Sequence, residues 1–306
     1  MLMKYFSPLF PFLFGWGVLL ATPAFFEISL VSGIVQLALF GLVVCWPAWK
    51  TGRLSYVDIG WPWGLVLIGA VAYLLSDGYW VRVLVISLVY VFVGARMGLG
   101  ALKLLQLGHL KTELPRYQYQ RLRWERAGKT NIGLQLQVEA LMQGLANASF
   151  LAFPAFIIGS NTSPYISGFE ILGLSLWLLA ISIETIADAQ KLTFLKKMKK
   201  AGEKNSVCNV GLWQYSRHPN YFAEWLVWTA MVVASIPSWL ALYTQIHLVA
   251  WLLLGGGLLF VSRIMYATLV YYTGAVPAEY YSVKKRPGYK EYQAKTNRFF
   301  PGPYKK

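Results

Sequence analysis

The sequence predicts an all-α integral membrane bundle of about eight transmembrane helices (seven to nine), with both termini cytoplasmic. Three observations carry this. The 306 residues are 57% hydrophobic, 16% aromatic and only 13% charged, against roughly 45–50% apolar and about 25% charged in a soluble domain. Apolar segments of the roughly 17–25 residues that a bilayer demands recur along the whole chain. The basic residues, finally, fall in the connecting segments that an eight-span arrangement puts on a single side.

Taken in order, the apolar segments lie near 9–26, 30–49, 57–76, 80–102, 134–158, 168–188, 220–236 and 239–273. The first has a single lysine before it, Pro8, Pro11 and Pro23 in or beside it, and no small-residue cleavage site leading into a soluble body, so it reads as a span and not a signal peptide. The last is long enough to be tilted, kinked at Gly255, Gly256 and Gly257, or extended beyond the bilayer. Cys45 and Cys208 are too few and too separated for a disulfide framework or a zinc site, and no metal is implied.

Orientation follows from the 28 Lys and Arg residues. Lys4, Lys50 with Arg53, the loop from Lys103 to Lys129, the loop from Lys191 to Arg217 and the tail from Lys284 to Lys306 hold 25 of them, all on one side of the eight-span arrangement. Only Arg82 falls outside, while Arg96 and Arg263 lie within spans. One span more or fewer would put a large basic block on the wrong face. The net charge of +15 therefore reports topology, and no nucleic-acid partner is needed to explain it. The three basic segments suit anionic lipid headgroups at roughly 1 kcal/mol per Lys or Arg near the surface. Nothing in the pattern specifies an oligomeric state.

Ionisable groups inside a bilayer cost from about 2.5 kcal/mol upward, which makes each a functional candidate. In the fifth span Gln135, Glu139, Gln143 and Asn147 recur every four residues and share one helix face. That face lines a polar substrate cavity, for which Glu139 and Gln143 are the candidates, or makes helix-to-helix hydrogen bonds. The sixth span ends in Glu184, Asp188 and Lys191, again on one face, with Gln190 and Phe194 on the adjoining turn. The stretch from Gly211 to Trp225, GLWQYSRHPNYFAEW, puts Pro219 at the first turn of the seventh helix. Free backbone N–H groups there, with Arg217 and His218 beside them, suit a phosphate or other anion. Asn220 and Glu224 lie one turn apart on the same face. The tail interleaves Tyr280, Tyr281, Tyr289 and Tyr292 with Lys284, Lys285, Arg286, Lys290 and Lys295. It reads as an interfacial anchor or as a cover over a nucleotide, with rings for the base and cations for phosphates.

Together these residues resemble the steroid 5-alpha-reductase superfamily, in particular the bacterial branch that shares its C-terminal domain. The resemblance rests on Glu113, Arg116 and Tyr117 (EXXRY), on Glu184, Asp188, Gln190 and Lys191 (EXXXDXQK), on Gly211 to Glu224, and on a tail ending RPGYXEYXXXTXXFFP. It covers about residues 95–301, so that 1–94 are variable N-terminal spans and 95–301 a reductase-like region of one continuous membrane domain.

The resemblance implies a membrane oxidoreductase of the bacterial inner membrane that binds NADPH from the cytoplasm. Its hydride would go to a conjugated C=C bond of an apolar, steroid- or isoprenoid-like lipid drawn from the bilayer, an activity of the EC 1.3 type. Asp188, Asn220 and Glu224 fall where the family binds cofactor, Arg217, His218 and Tyr221 belong to the same motif, and Glu113, Arg116 and Tyr117 lie on the cofactor side. Glu184, Lys191, Tyr289 and Tyr292 complete the cofactor set. The steroid enzymes' N-terminal Gln-Glu pair has no counterpart, and Asp58 in SYVDIGWPWG is the candidate for the acid that polarises the carbonyl. Two alternatives stay open. Membrane methyltransferases using S-adenosylmethionine carry an RHPxY-like motif, usually with Gly after the motif's Tyr and a paired Glu near the tail, where this chain has Ala223 and the single Glu279. The other is a non-enzymatic lipid-binding membrane protein. Transporter repeats are not visible.

Overall fold

The computed structural model describes residues 3–305 and, among them, contains helices and no strands. Eight helices are long and apolar enough to cross a membrane. With two shorter ones they are, in chain order, α1 Met3–Ala21, α2 Pro23–Thr51, α3 Val57–Leu75, α4 Trp80–Gln106, α5 Pro115–Arg126, α6 Ile132–Gly159, α7 Gly168–Lys200, α8 Pro219–Thr244, α9 Leu248–Lys285 and α10 Tyr289–Lys295. Large apolar side chains point outward along them, with Leu42 and Leu74 each 74% exposed. For a chain whose spans are apolar all round, such faces belong against lipid tails.

The eight expected spans are all present, with shifted ends. The first helix stops at Ala21, because Thr22 is extended ahead of Pro23, and the chain re-enters a helix there. The last does not break at its glycines. Gly255 and Gly257 are packing positions instead, each with an aromatic ring where a Cβ would stand. α9 relaxes into a π turn over Thr268–Tyr272 and then re-forms as Ala275–Lys285.

The helices sort into two compact units, Met1–Glu170 with Ala234–Val261, and Ile171–Val233 with Ser262–Lys306. In the first, α3 and α4 lie closest. A Cβ on Gly94 would stand 2.5 Å from Pro62 O, so only glycine permits that approach. Arg82 is 4% exposed and bonded to Glu170, Nε to Oε1 at 2.5 Å, while also donating to the carbonyls of Ser163 and Tyr165. A cation at this depth is tolerable only because its donors are spent. The polar stripe of α6 is bonded in part, with Gln135 Oε1 and Asn147 Oδ1 left without a partner among the described residues. Asn147 donates to Gln36 Oε1 at 3.2 Å and to Trp61 O at 3.1 Å, Gln36 donates to Gly64 O at 2.8 Å, and Gln120 donates to Glu139 Oε2 at 3.4 Å. Glu139 and Asn147 are buried, and Gln143 is half-buried.

Candidate functional site

Two clusters collect the residues singled out by sequence, one in each unit. In the first unit the chain between α2 and α3 meets the segment leading into α5. Glu113 accepts from Leu54 N at 2.9 Å, from Ser55 N at 3.1 Å, from Ser55 Oγ at 2.6 Å and from Arg121 Nη2 at 3.3 Å. Ser55 Oγ in turn accepts from Leu114 N at 2.9 Å. The carboxylate thus caps the backbone just ahead of α3, where N–H groups lack helical partners and negative charge is favoured. One turn on, Asp58 accepts from Tyr117 Oη at 2.6 Å and pairs with Arg116. Tyr117 is buried, and burial pushes its hydroxyl well above the usual tyrosine range, with the charge of Asp58 adding to it. Asp58 is therefore an acceptor here, and Tyr117 carries the proton.

In the second unit α7 carries Glu184, Asp188 and Lys191 on one face, with Glu184 buried. The GLW stretch is clasped to that helix. Trp213 Nε1 donates to Ala187 O at 2.9 Å and Leu212 N to Gln190 Oε1 at 2.9 Å, while Lys191 Nζ lies 4.0 Å from the Trp213 ring centroid. Gly211 is required at this crossing, since its φ is +55° and a Cβ would lie 2.3 Å from Gln190. Near the start of α8, Asn220 Nδ2 donates to Asp188 Oδ1 at 3.2 Å. Asn220 Oδ1 is buried and has no partner. Glu224, half-buried, follows one turn later.

Arg217 and His218 are differently used. Arg217 donates from Nε to Glu279 Oε1 at 2.8 Å, from Nη2 to Oε2 at 3.2 Å, and from Nη1 to the carbonyls of Gln293 and Thr296. His218 Nε2 stands 3.1 Å from the same carboxylate, and the Tyr221 ring stacks on the imidazole at 5.1 Å. Gln293 adds a bond to Glu279 Oε2 at 2.8 Å. Burial holds the His218 pKa below its ordinary value, outweighing the hydrogen bond to Glu279 that favours the charged form. The imidazole is accordingly neutral at pH 7 and donates from Nε2. Tyr292 Oη donates to Trp213 O, and Tyr289 packs edge-on against Tyr292 at 5.7 Å. Burial, reinforced by the charge of Glu279, pushes Tyr289 up to about 12 and Tyr292 further.

The structure thus separates the motif residues by use. Glu113, Arg217, His218, Tyr289 and Tyr292 spend their polar groups or their bulk on tying segments together. Asp188 with Asn220 keeps an acceptor unspent. Sequence reasoning did not find Ser55, Gln293 or the part played by Glu279. The available signal was that an arginine beside a helix start, if buried, demands a carboxylate, and the basic tail offers two, Glu279 and Glu291.

A helical membrane protein with these two clusters invites comparison with known families. Residues 45–296 match the family model described as "Protein of unknown function (DUF1295)". The chain belongs to this family, which is related to the steroid 5-alpha-reductases. The match begins ahead of Asp58 and so takes in both clusters. No curated protein and no solved structure matches the chain.

Proposed function

We propose that the chain is a membrane oxidoreductase that takes hydride from NADPH at a cytoplasm-facing site and delivers it to a conjugated C=C bond of an apolar lipid. The relation of the family to the steroid 5-alpha-reductases supports this. So does the residue chemistry of the second unit, and one observation carries it. Asn220, fixed by its bond to Asp188, presents a buried Oδ1 with no partner. An orphaned buried acceptor costs about 1–3 kcal/mol unless something donates to it, and a carboxamide N–H is a suitable donor. The nicotinamide ring carries such a group.

When bound, the dinucleotide supplies the hydride. Asp188 holds Asn220, whose Oδ1 would accept from the carboxamide, and Lys191 is held over Trp213 on the same helix face as Asp188. Asp58 is the candidate for the group that meets the substrate carbonyl, and in this reading substrate would displace the bonds it accepts from Tyr117 Oη and Arg116. The basic segments suit the cytoplasmic leaflet, and the apolar substrate arrives through the bilayer.

The test is calorimetry on detergent-purified protein with NADPH and with S-adenosylmethionine, wild type beside Asn220→Ala and Glu224→Gln. Saturable NADPH binding weakened by Asn220→Ala supports the reductase. Binding of S-adenosylmethionine alone transfers the chain to the methyltransferases.

A further inference from the structure

Three arginines lie apart from the basic segments. Arg82 and Arg96 are engaged within the chain, but Arg263 is exposed and, among the described residues, forms no hydrogen bond or ion pair. It stands fifteen residues past Leu248 on α9, roughly 22 Å at helical rise and so about three-quarters of the way through a hydrocarbon core of roughly 30 Å. A guanidinium on a lipid-facing span reaches toward the nearer headgroups along its own methylenes, and there its donors still require an anion.

A second arginine is held beside it. Ser262 fixes α9 against α8 at this level, its carbonyl accepting from Trp225 Nε1 at 3.1 Å and its Oγ lying 2.8 Å from Thr229 Oγ1. The tail returns alongside: Arg217 N donates to Asn297 O at 2.8 Å and Ser216 Oγ to Phe299 O at 2.8 Å, so the backbone holds Arg298 from both sides. Arg298 Nε stands 3.5 Å from Glu279 Oε2, an oxygen that Arg217 and Gln293 already occupy, and its Nη groups make no hydrogen bond among the described residues. The positive charges of Arg263 and Arg298 both act on the Tyr266 hydroxyl, which puts the two guanidiniums on one patch. Phe299 is buried among Phe222, Trp225 and Tyr266, while Phe300 and Tyr271, each packed on Tyr266, stay exposed. Phe222 and Trp225 lie roughly opposite Asn220 and Glu224 around α8, so the patch is apart from the Asp188 cluster.

Two arginines with unspent donors, one of them facing lipid, on a rim of exposed rings, suit a phosphodiester that carries acyl chains. The fork of each guanidinium matches a pair of phosphate oxygens. Exposed aromatic rings belong at the depth where headgroups meet chains.

We infer that Arg263 and Arg298 clamp the headgroup phosphate of an anionic phospholipid in the leaflet that the basic segments face, with Tyr271 and Phe300 against its glycerol and upper acyl carbons. The lipid bridges α9 to the tail and so raises the melting temperature. This site stands independently of the reductase reading. The test uses the full chain, wild type beside Arg263→Gln, Arg263→Gln/Arg298→Gln and a charge-matched control, Lys204→Gln/Lys290→Gln. Phosphatidylglycerol is titrated into detergent-purified protein and its adducts are followed by native mass spectrometry, and melting is compared in phosphatidylcholine nanodiscs with and without phosphatidylglycerol. The expected result is saturable binding that stabilises wild type and the control alike, weakened about tenfold in Arg263→Gln and about a hundredfold in the double variant. Melting in phosphatidylcholine alone checks the fold. Arg263→Gln removes no hydrogen bond or ion pair among the described residues, so it remains the test if the double variant does not fold. Equal losses in the control and the double variant assign the effect to the general surface charge and overturn the inference. Equal stabilisation of wild type by phosphatidylcholine overturns it too, as does glycerol 3-phosphate that displaces the lipid at equal concentration, which makes the site one for a soluble phosphate.

Discussion

Arg217 and Glu279 face each other through two parallel hydrogen bonds, Nε to Oε1 at 2.8 Å and Nη2 to Oε2 at 3.2 Å, with both side chains under 10% exposed. A fork-to-carboxylate pair of this kind is among the strongest contacts a protein makes. Here it holds the segment just ahead of α8 to the end of α9 and, through the carbonyls of Gln293 and Thr296, to the tail. The arginine that by sequence suits a phosphate is thus saturated from within the chain.

Glu279→Gln is expected to lower stability by about 3–5 kcal/mol, because it leaves a buried guanidinium without its counter-charge. The amide nearly conserves volume, so the loss isolates charge from packing. Thermal melting of detergent-purified protein, followed by circular dichroism, checks it. A melting temperature equal to that of wild type would mean that Arg217 does not depend on Glu279.

His218 makes stability depend on mild acid. Its folded pKa is depressed, chiefly by burial, so below about 6.5 the unfolded chain takes up a proton that the folded chain does not. More protons bound by the unfolded state means that stability rises with pH, so the contribution is present above 6.5 and is lost as pH falls below it. The melting temperature of wild type is expected to drop between pH 7.5 and 5.5 by more than that of His218→Asn. Equal drops would remove His218 as the source.

The spans were legible because a bilayer imposes one constraint on every segment, a run of apolar residues long enough to cross it. The four-residue repeat of Gln135, Glu139, Gln143 and Asn147 likewise showed a shared helix face. What each residue touches was not legible. Glu113 reaches the N–H groups of Leu54 and Ser55, nearly sixty positions away, and no local rule relates such distant residues. In the same way the RHPN stretch announced a polar cluster at a helix start, while the partition between spent Arg217 and unspent Asn220 depends on where the tail returns.

Gly64 tests the polar knot of the first unit. A Cβ there would stand 2.1 Å from Asn147 Nδ2 and 2.5 Å from Gln36 Oε1, and both side chains are fully buried and hydrogen-bonded. Gly64→Ala is expected to cost roughly 1–3 kcal/mol by overpacking. Adding Asn147→Ala opens the space, so the pair should be less than additive in a double-mutant cycle. Strict additivity would show that the methyl is accommodated some other way.

Removing one hydroxyl examines the Asp58 cluster. Tyr117→Phe deletes the 2.6 Å bond to Asp58 and leaves the ring buried, for an expected loss of about 1.5–3 kcal/mol, the range for a hydrogen bond to a charged partner. Arg116→Gln is expected to cost less, because its side chain is 37% exposed and water replaces much of what it gave. Chemical denaturation of both variants checks the order. The reverse order would assign the hold on Asp58 to the ion pair and not to the phenol.

High pH separates the tail from the rest. Tyr289 is pushed up to about 12 by burial first and by Glu279 second, whereas in the unfolded chain a tyrosine ionises near 10. Between those values the folded state holds a proton that the unfolded state has released, so the stability gained at lower pH is fully present below 10 and drains away as pH rises toward 12. Two pH units on one group correspond to roughly 2–3 kcal/mol. Absorbance at the phenolate band during an alkaline titration should therefore rise for Tyr289 only as the protein unfolds, and Tyr289→Phe should flatten the fall in melting temperature above pH 10. A variant that melts with the wild-type pH profile would place the alkaline sensitivity elsewhere, with the buried Tyr292 beside it the next residue to replace.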